Sequence, residues 1–255
     1  MKDKWLKKFL IWSLFPYGST RTILIGPCKG MKVHVTPQLG HAVLRGYEKK
    51  SQMFLKKKIK HGMTVYDVGA HCGQYSLFFA KAVREKGCVV SFEPLGENFT
   101  QLQKNLDLNH LSWVVSYKYA LTDKDGTAEF CWNPSCSSMG KIDNVEPTFN
   151  TRPTQKMQVE ARRLDSLLGL CRPPNIIKID AEGSAGLVLK GALETLKKYS
   201  PLLFIELHGP DERSSVGAYL KELDYQVMDL GGRHVSDITS RWVSPIWCYK
   251  TSGIE

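Results

Sequence analysis

The chain has 255 residues, 42% hydrophobic and 24% charged, a globular composition that excludes a disordered, collagen-like or disulfide-stapled protein. Its net charge of +10 is unevenly spread: residues 1–60 carry fourteen Lys and Arg against Asp3 and Glu48, while residues 61–255 carry 21 basic and 23 acidic residues. A body of net charge −2 has no basic groove for RNA or DNA. The apolar residues 9–12, with Leu14 and Phe15, fall far short of the ~20 needed to span a bilayer. Seven scattered cysteines, without a C-x-x-C pair or a secretory cleavage pattern, point to a reducing cytoplasm.

At the N-terminus, residues 4–15 interleave Lys4, Lys7 and Lys8 with Trp5, Phe9 and Trp12. This pattern predicts a short amphipathic helix that docks either on the protein's own core or peripherally at the inner membrane surface. Apolar runs at 22–25 and 31–35 flank Gly26 to Gly30 and read as a hairpin. Residues 49–60 read as a helix ended by Gly62. Residues 1–61 are therefore expected to form a basic flank of helix, hairpin and helix, followed by a main domain over 62–255.

That domain alternates strand and helix, the pattern of an α/β fold with a parallel sheet. Strands are expected at 64–66, 89–92, 113–119, 127–131, 175–179, 202–207, 225–228 and 246–249. Helices are expected at 75–84, 99–106, 187–199 and 216–223. Residues 133–155, rich in Pro, Ser, Asn and Thr, read as a long polar loop of the kind that closes over ligands.

The sharpest local signal is Asp67-Val68-Gly69-Ala70-His71-Cys72-Gly73 at a strand-to-helix junction. Gly69 and Gly73 permit a tight turn and close approach of a ligand, and Asp67 is placed to accept from an ammonium group or a water. Glu93 ends the next strand, where this topology aims a carboxylate at ribose hydroxyls. A dinucleotide fingerprint needs G-x-G-x-x-G, but His71 stands where its middle glycine would be. The D-x-G-x-x-x-G pattern suits a phosphate-free cofactor, and S-adenosylmethionine is the common one on such a sheet.

Farther along, Ile177-Lys178-Ile179-Asp180-Ala181-Glu182-Gly183 precedes Leu189-Lys190-Gly191-Ala192 and Phe204-Ile205-Glu206. With Ser91-Phe92-Glu93-Pro94 and Tyr119-Ala120-Leu121-Thr122-Asp123, these motifs make the run from Gly62 to about Gly231 resemble the FkbM family of S-adenosylmethionine-dependent methyltransferases. Ala185 departs from that family's usual glutamate. The resemblance implies a class I methyltransferase (Rossmann-like) fold, a seven-stranded mostly parallel sheet with helices on both faces and an antiparallel last hairpin. It also implies that Asp67, Gly69, Ala70 and Gly73 line the methionine part of the cofactor. Glu93 with Pro94 would hold the ribose, and Ala120 with Leu121 would lie near the adenine. Asp180, Glu182, Glu206 and His208 would form the acceptor rim, with Asp180 also at the cofactor.

A protonated alcohol is a poor nucleophile, so a general base is expected there. His208 is the first candidate, because its ordinary pKa is near neutrality, and Asp180 is the second. No metal is expected: the other histidines are too dispersed, and a divalent cation at the rim carboxylates is the less favoured arrangement. The expected activity is O-methylation of a small hydroxylated acceptor, a sugar of a glycoside or polysaccharide. Two rivals are an RNA-directed methyltransferase that holds phosphates with its basic flank, and a non-catalytic cofactor-binding adaptor at a membrane.

Overall fold

The computed structural model describes residues 16–36, 48–133, 136–142, 155–240 and 243–251. The predicted helix over 4–15 lies outside them. A hairpin of β1 (Thr20–Thr22) and β2 (Lys32–His34) is followed by helix α1 (Lys49–Lys58). Next come β3 (Thr64–Val68), α2 (Gln74–Val83), β4 (Cys88–Phe92), α3 (Gly96–Asp107) and β5 (Val114–Tyr117). After a second group of strands come β10 (Ile176–Ile179), α4 (Ala185–Lys190), α5 (Leu193–Tyr199), β11 (Leu202–Ile205), α6 (Pro210–Glu222), β12 (Gln226–Asp229) and β13 (Ile246–Tyr249).

The main sheet has seven strands in the order β12-β13-β11-β10-β3-β4-β5. Strands β11, β10, β3, β4 and β5 are parallel, and β13 runs antiparallel to both its neighbours. The central strands are buried on both faces, which explains their nearly continuous apolar sequence. Strand alternation sends Tyr66, Val68, Ile177, Ile179, Leu203 and Ile205 into one apolar cluster, under α4, α5 and α6. Val65, Ile176 and Phe204 enter the opposite cluster, under α1, α2, α3 and the hairpin. Ile23, Val33, Leu55 and Ile59 of the flank belong to that second cluster, so flank and sheet share apolar contacts.

Three expectations change. Residues 133–155 are not all loop: β8 (Cys136–Ile142) pairs with β7 (Gly126–Asn133), which pairs in turn with β9 (Gln155–Arg162). With β6 (Ala120–Leu121) these strands form a second sheet in the order β6-β9-β7-β8. The strand predicted over 113–119 therefore stops at Tyr117, and the chain crosses to the second sheet at Ala120. Finally, the helix predicted over 187–199 is two helices. Gly191 packs against the backbone of Thr122 so closely that a Cβ would overlap the Thr122 carbonyl, and its own carbonyl accepts the N–H of Asp165.

Candidate active site

Parallel pairing puts the ends of β3, β4, β10 and β11 on one edge, where the loops after them meet beneath the second sheet. A cavity of about 330 Å³ opens there, in the size range of small-molecule sites. One wall is the turn after β3, with Gly69, Ala70 and His71, facing Glu93 and Pro94 after β4. Asp180, Glu182 and Ser184 after β10 also line the cavity. Ala120 and Leu121 line it from β6, while Phe130, Gly140 and Ile142 cover it from β7 and β8.

The turn owes its shape to backbone conformations that favour glycine. Gly69 has φ 74° and lies against the Asp180 backbone, where a Cβ would overlap the carbonyl. His71 adopts φ 50° without being glycine, and its N–H donates to Glu93 Oε2 at 2.9 Å. The Glu93 carboxylate also accepts from the Leu95 N–H at 3.0 Å and Asn98 Nδ2 at 3.3 Å. Burial nevertheless pushes Glu93 up to about 7, only partly offset by the Leu95 and His71 donors.

Two predicted cofactor residues do not line the cavity. Asp67 is entirely buried beneath it, accepting from Ser76 Oγ at 2.7 Å and lying 3.4 Å from Lys178 Nζ. It cannot meet an ammonium group there, because Lys178 already fills that place. Gly73, at φ 88°, caps the start of α2 against Leu102, so its role is to bring helix and turn together.

Lys178, buried within β10, has two carboxylate partners. Its Nζ lies 3.4 Å from Asp67 Oδ1 and 3.4 Å from Asp180 Oδ2, and donates to the Gly69 carbonyl at 3.2 Å. Burial disfavours its charge, but Asp180 and Asp67 outweigh that and raise its pKa. Its ammonium also sits 4.9 Å from the centre of the Tyr75 ring.

His208 is set among carboxylates. Its Nε2 lies 3.3 Å from Asp180 Oδ1 and 3.8 Å from Glu182 Oε2, and its Nδ1 lies 3.6 Å from Glu212 Oε2. Glu212 is buried and accepts the N–H groups of His208 at 2.6 Å and Ala185 at 2.9 Å. Burial disfavours the charged ring, yet Asp180, Glu212 and Glu182 outweigh it and push His208 up to about 11. Burial works to raise Asp180 as well, but Lys178 and His208 hold it down at about 2. Glu182, which adopts φ 44°, is pushed up to about 7, first by burial. Asp180, Glu182 and His208 each offer a metal-ligand atom within 4.8 Å of the others.

Glu206 does not line the cavity. Burial, Asp180 and Glu48 push it up to about 8, and Glu48 in turn accepts from Tyr75 Oη at 2.6 Å. Glu48, Tyr75 and Glu212 thus join Lys178 in a cluster that motif spacing did not reveal. The acid in the first turn of α6 was the one available signal for Glu212.

The sheet order, the glycine turn and the strand-end carboxylates together define a class I methyltransferase fold. Residues 67–227 match the methyltransferase FkbM domain, and the chain belongs to that family. It is 24% identical over 143 residues to Methyltransferase 1 of Beauveria bassiana, covering 50% of this chain and 57% of that protein. It is 23% identical over 218 residues to the hexuronic acid methyltransferase AglP of Haloferax volcanii, covering 83% of this chain and 85% of that protein. A crystal structure of methyltransferase FkbM from Methylobacillus flagellatus shares the fold, with TM-score 0.51 and 22% identity over 73% of this chain and 43% of that one. The chain thus spans little more than half of the fungal relative and less than half of the bacterial one.

Proposed function

We propose that the chain transfers a methyl group from S-adenosylmethionine to a hydroxyl of a small acceptor, a sugar of a glycoside or polysaccharide, with residues 62–255 as the transferase domain. The observation that carries this reading is the cavity itself, which is lined both by ribose-binding chemistry at Glu93 and by an acid–base cluster at Asp180 and Glu182. Three buried polar atoms of cavity-lining residues, Gln74 Nε2, Asp180 Oδ1 and Ser184 Oγ, have no hydrogen-bond partner among the described residues. Such atoms favour a polar ligand that would satisfy them. The family supports the cofactor, and AglP, by its name a hexuronic acid methyltransferase, supports a saccharide acceptor.

When bound, the cofactor supplies an electrophilic methyl group on a sulfonium. Glu93 would accept hydrogen bonds from its ribose hydroxyls, and Ala120 and Leu121 would offer an apolar wall to its adenine. Gly69 and Ala70 allow close approach of the amino-acid end. The acceptor hydroxyl lies toward Asp180 and Glu182. Glu182, held near 7, takes its proton, since a base works best with a pKa close to ambient pH. His208 was the first choice for that role, but a ring held protonated to about 11 has no lone pair to offer. Asp180, held near 2, is too weak a base and instead fixes Lys178 and His208.

The test is formation of S-adenosylhomocysteine on incubation with S-adenosylmethionine and a panel of neutral and uronic glycosides, with RNA as a control. Turnover with a glycoside supports the reading; turnover with RNA alone replaces it.

A further inference from the structure

Helix α1 shows a sharp division of faces. Leu55 is buried, and Phe54 packs on Trp247 with ring centroids 5.4 Å apart. The outward positions are Lys49, Lys50, Met53, Lys56 and Lys57, continued by Lys60. The helix contains no acidic residue, and among the described residues no lysine of the flank forms an ion pair. A lone charged helix face is ordinarily a solvated surface, but here Met53 is exposed among the lysines, and the basic hairpin of the same flank exposes apolar groups of its own. Six large hydrophobic side chains are exposed among the described residues, and four belong to the flank: Tyr17 at 55%, Leu24 at 52%, Ile25 at 45% and Met53 at 43%. Leu24 and Ile25 lie in the connection between β1 and β2, where Lys29 is also exposed, as is Lys32 at the start of β2. Hairpin and helix are anchored in one apolar cluster, Ile23 and Val33 together with Leu55 and Ile59, on the same face of the main sheet.

We propose that the hairpin and helix α1 of the flank, within residues 16–36 and 48–60, are a docking surface for an anionic lipid bilayer. Lysines draw the protein to acidic headgroups, and Leu24, Ile25 and Met53 enter the interfacial layer. Charge complementarity selects an acidic partner, and the exposed aliphatic groups select a bilayer over a nucleic acid, whose phosphates offer nothing to Leu24 or Ile25. Residues 1–15 are no electrostatic partner for this face, since they carry Lys2, Lys4, Lys7 and Lys8 against Asp3.

The experiment is co-sedimentation of the full chain with vesicles of phosphatidylcholine alone and of phosphatidylcholine containing phosphatidylglycerol. Binding is expected only with the acidic lipid, weakening about tenfold or more as salt is raised. The triple change Lys49→Glu, Lys56→Glu, Lys57→Glu should abolish it, and Leu24→Ser with Ile25→Ser should weaken it, both without loss of S-adenosylmethionine binding. Equal binding to neutral vesicles, no binding at all, or full binding by the triple variant would overturn the proposal. So would competition by RNA to which the Leu24→Ser, Ile25→Ser variant is indifferent.

Discussion

The ring of His208 faces the carboxylate of Asp180, with Nε2 3.3 Å from Oδ1, and this contact holds the histidine charged and the aspartate ionised together. In the proposed mechanism the acid–base work of the site then falls to Glu182, whose burial raises it to about 7.

The first prediction concerns the pH profile. The kcat of the native protein should rise with pH through about 7, as Glu182 loses its proton. Glu182→Gln should remove that rising limb and lower kcat by about 100-fold or more, whereas His208→Gln should lower kcat but keep the limb. Loss of the limb in His208→Gln instead would return the base to His208.

Stability follows from the same contact. His208 titrates at about 11 when folded against an ordinary 6.5, so its contribution is complete below pH 6.5 and is lost as pH rises toward 11. Urea unfolding of native protein and His208→Gln should therefore show a difference that is largest near neutral and acid pH and shrinks in alkali. A difference that grows with pH would mean that the ring is neutral in the folded protein.

Lys178 is the second structural hinge of the site, with its side chain 2% exposed between carboxylates of two neighbouring strands. Lys178→Met leaves Asp67 without a cationic partner in the interior and Asp180 with His208 alone, which should cost about 3–5 kcal/mol of unfolding free energy. A loss below about 1 kcal/mol would show that the carboxylates take up protons or water without penalty.

How much of this arrangement was legible in the sequence differs from residue to residue. Glu93, Asp180 and Glu182 line the cavity as their sequence positions implied, because each follows an apolar run and parallel strands carry such residues to one edge. Asp67 met the same rule, yet it is buried under the turn, because the motif does not say that Lys178 on the adjacent strand reaches it first. Glu48 and Glu212 come from the flank and from α6, and only tertiary packing brings them to Tyr75 and His208. The second sheet was missed because its β7–β8 pairing includes a register shift between Cys131 and Asn133 and falls in a segment rich in turn-forming residues. Its contribution, Phe130, Gly140 and Ile142, forms the cavity roof.

That roof carries a prediction of its own. Gly140 lies against the Phe130 ring so closely that a Cβ would overlap it. Since both residues line the cavity, Gly140→Val should drive the ring inward and raise KM for the acceptor or cofactor. The expected signature is a raised KM in steady-state kinetics with a modest change in melting temperature; unchanged KM would place the ligands away from the roof.

The central claim is that this cavity holds S-adenosylmethionine, with Glu93 on its ribose. Calorimetric titration of the purified protein with S-adenosylmethionine, and separately with NADH, tests it most directly. The account predicts micromolar binding of S-adenosylmethionine alone, weakened about 10- to 100-fold in Glu93→Gln by loss of charged hydrogen bonds. Absence of binding, a preference for NADH, or unchanged affinity in the folded Glu93→Gln variant would contradict it.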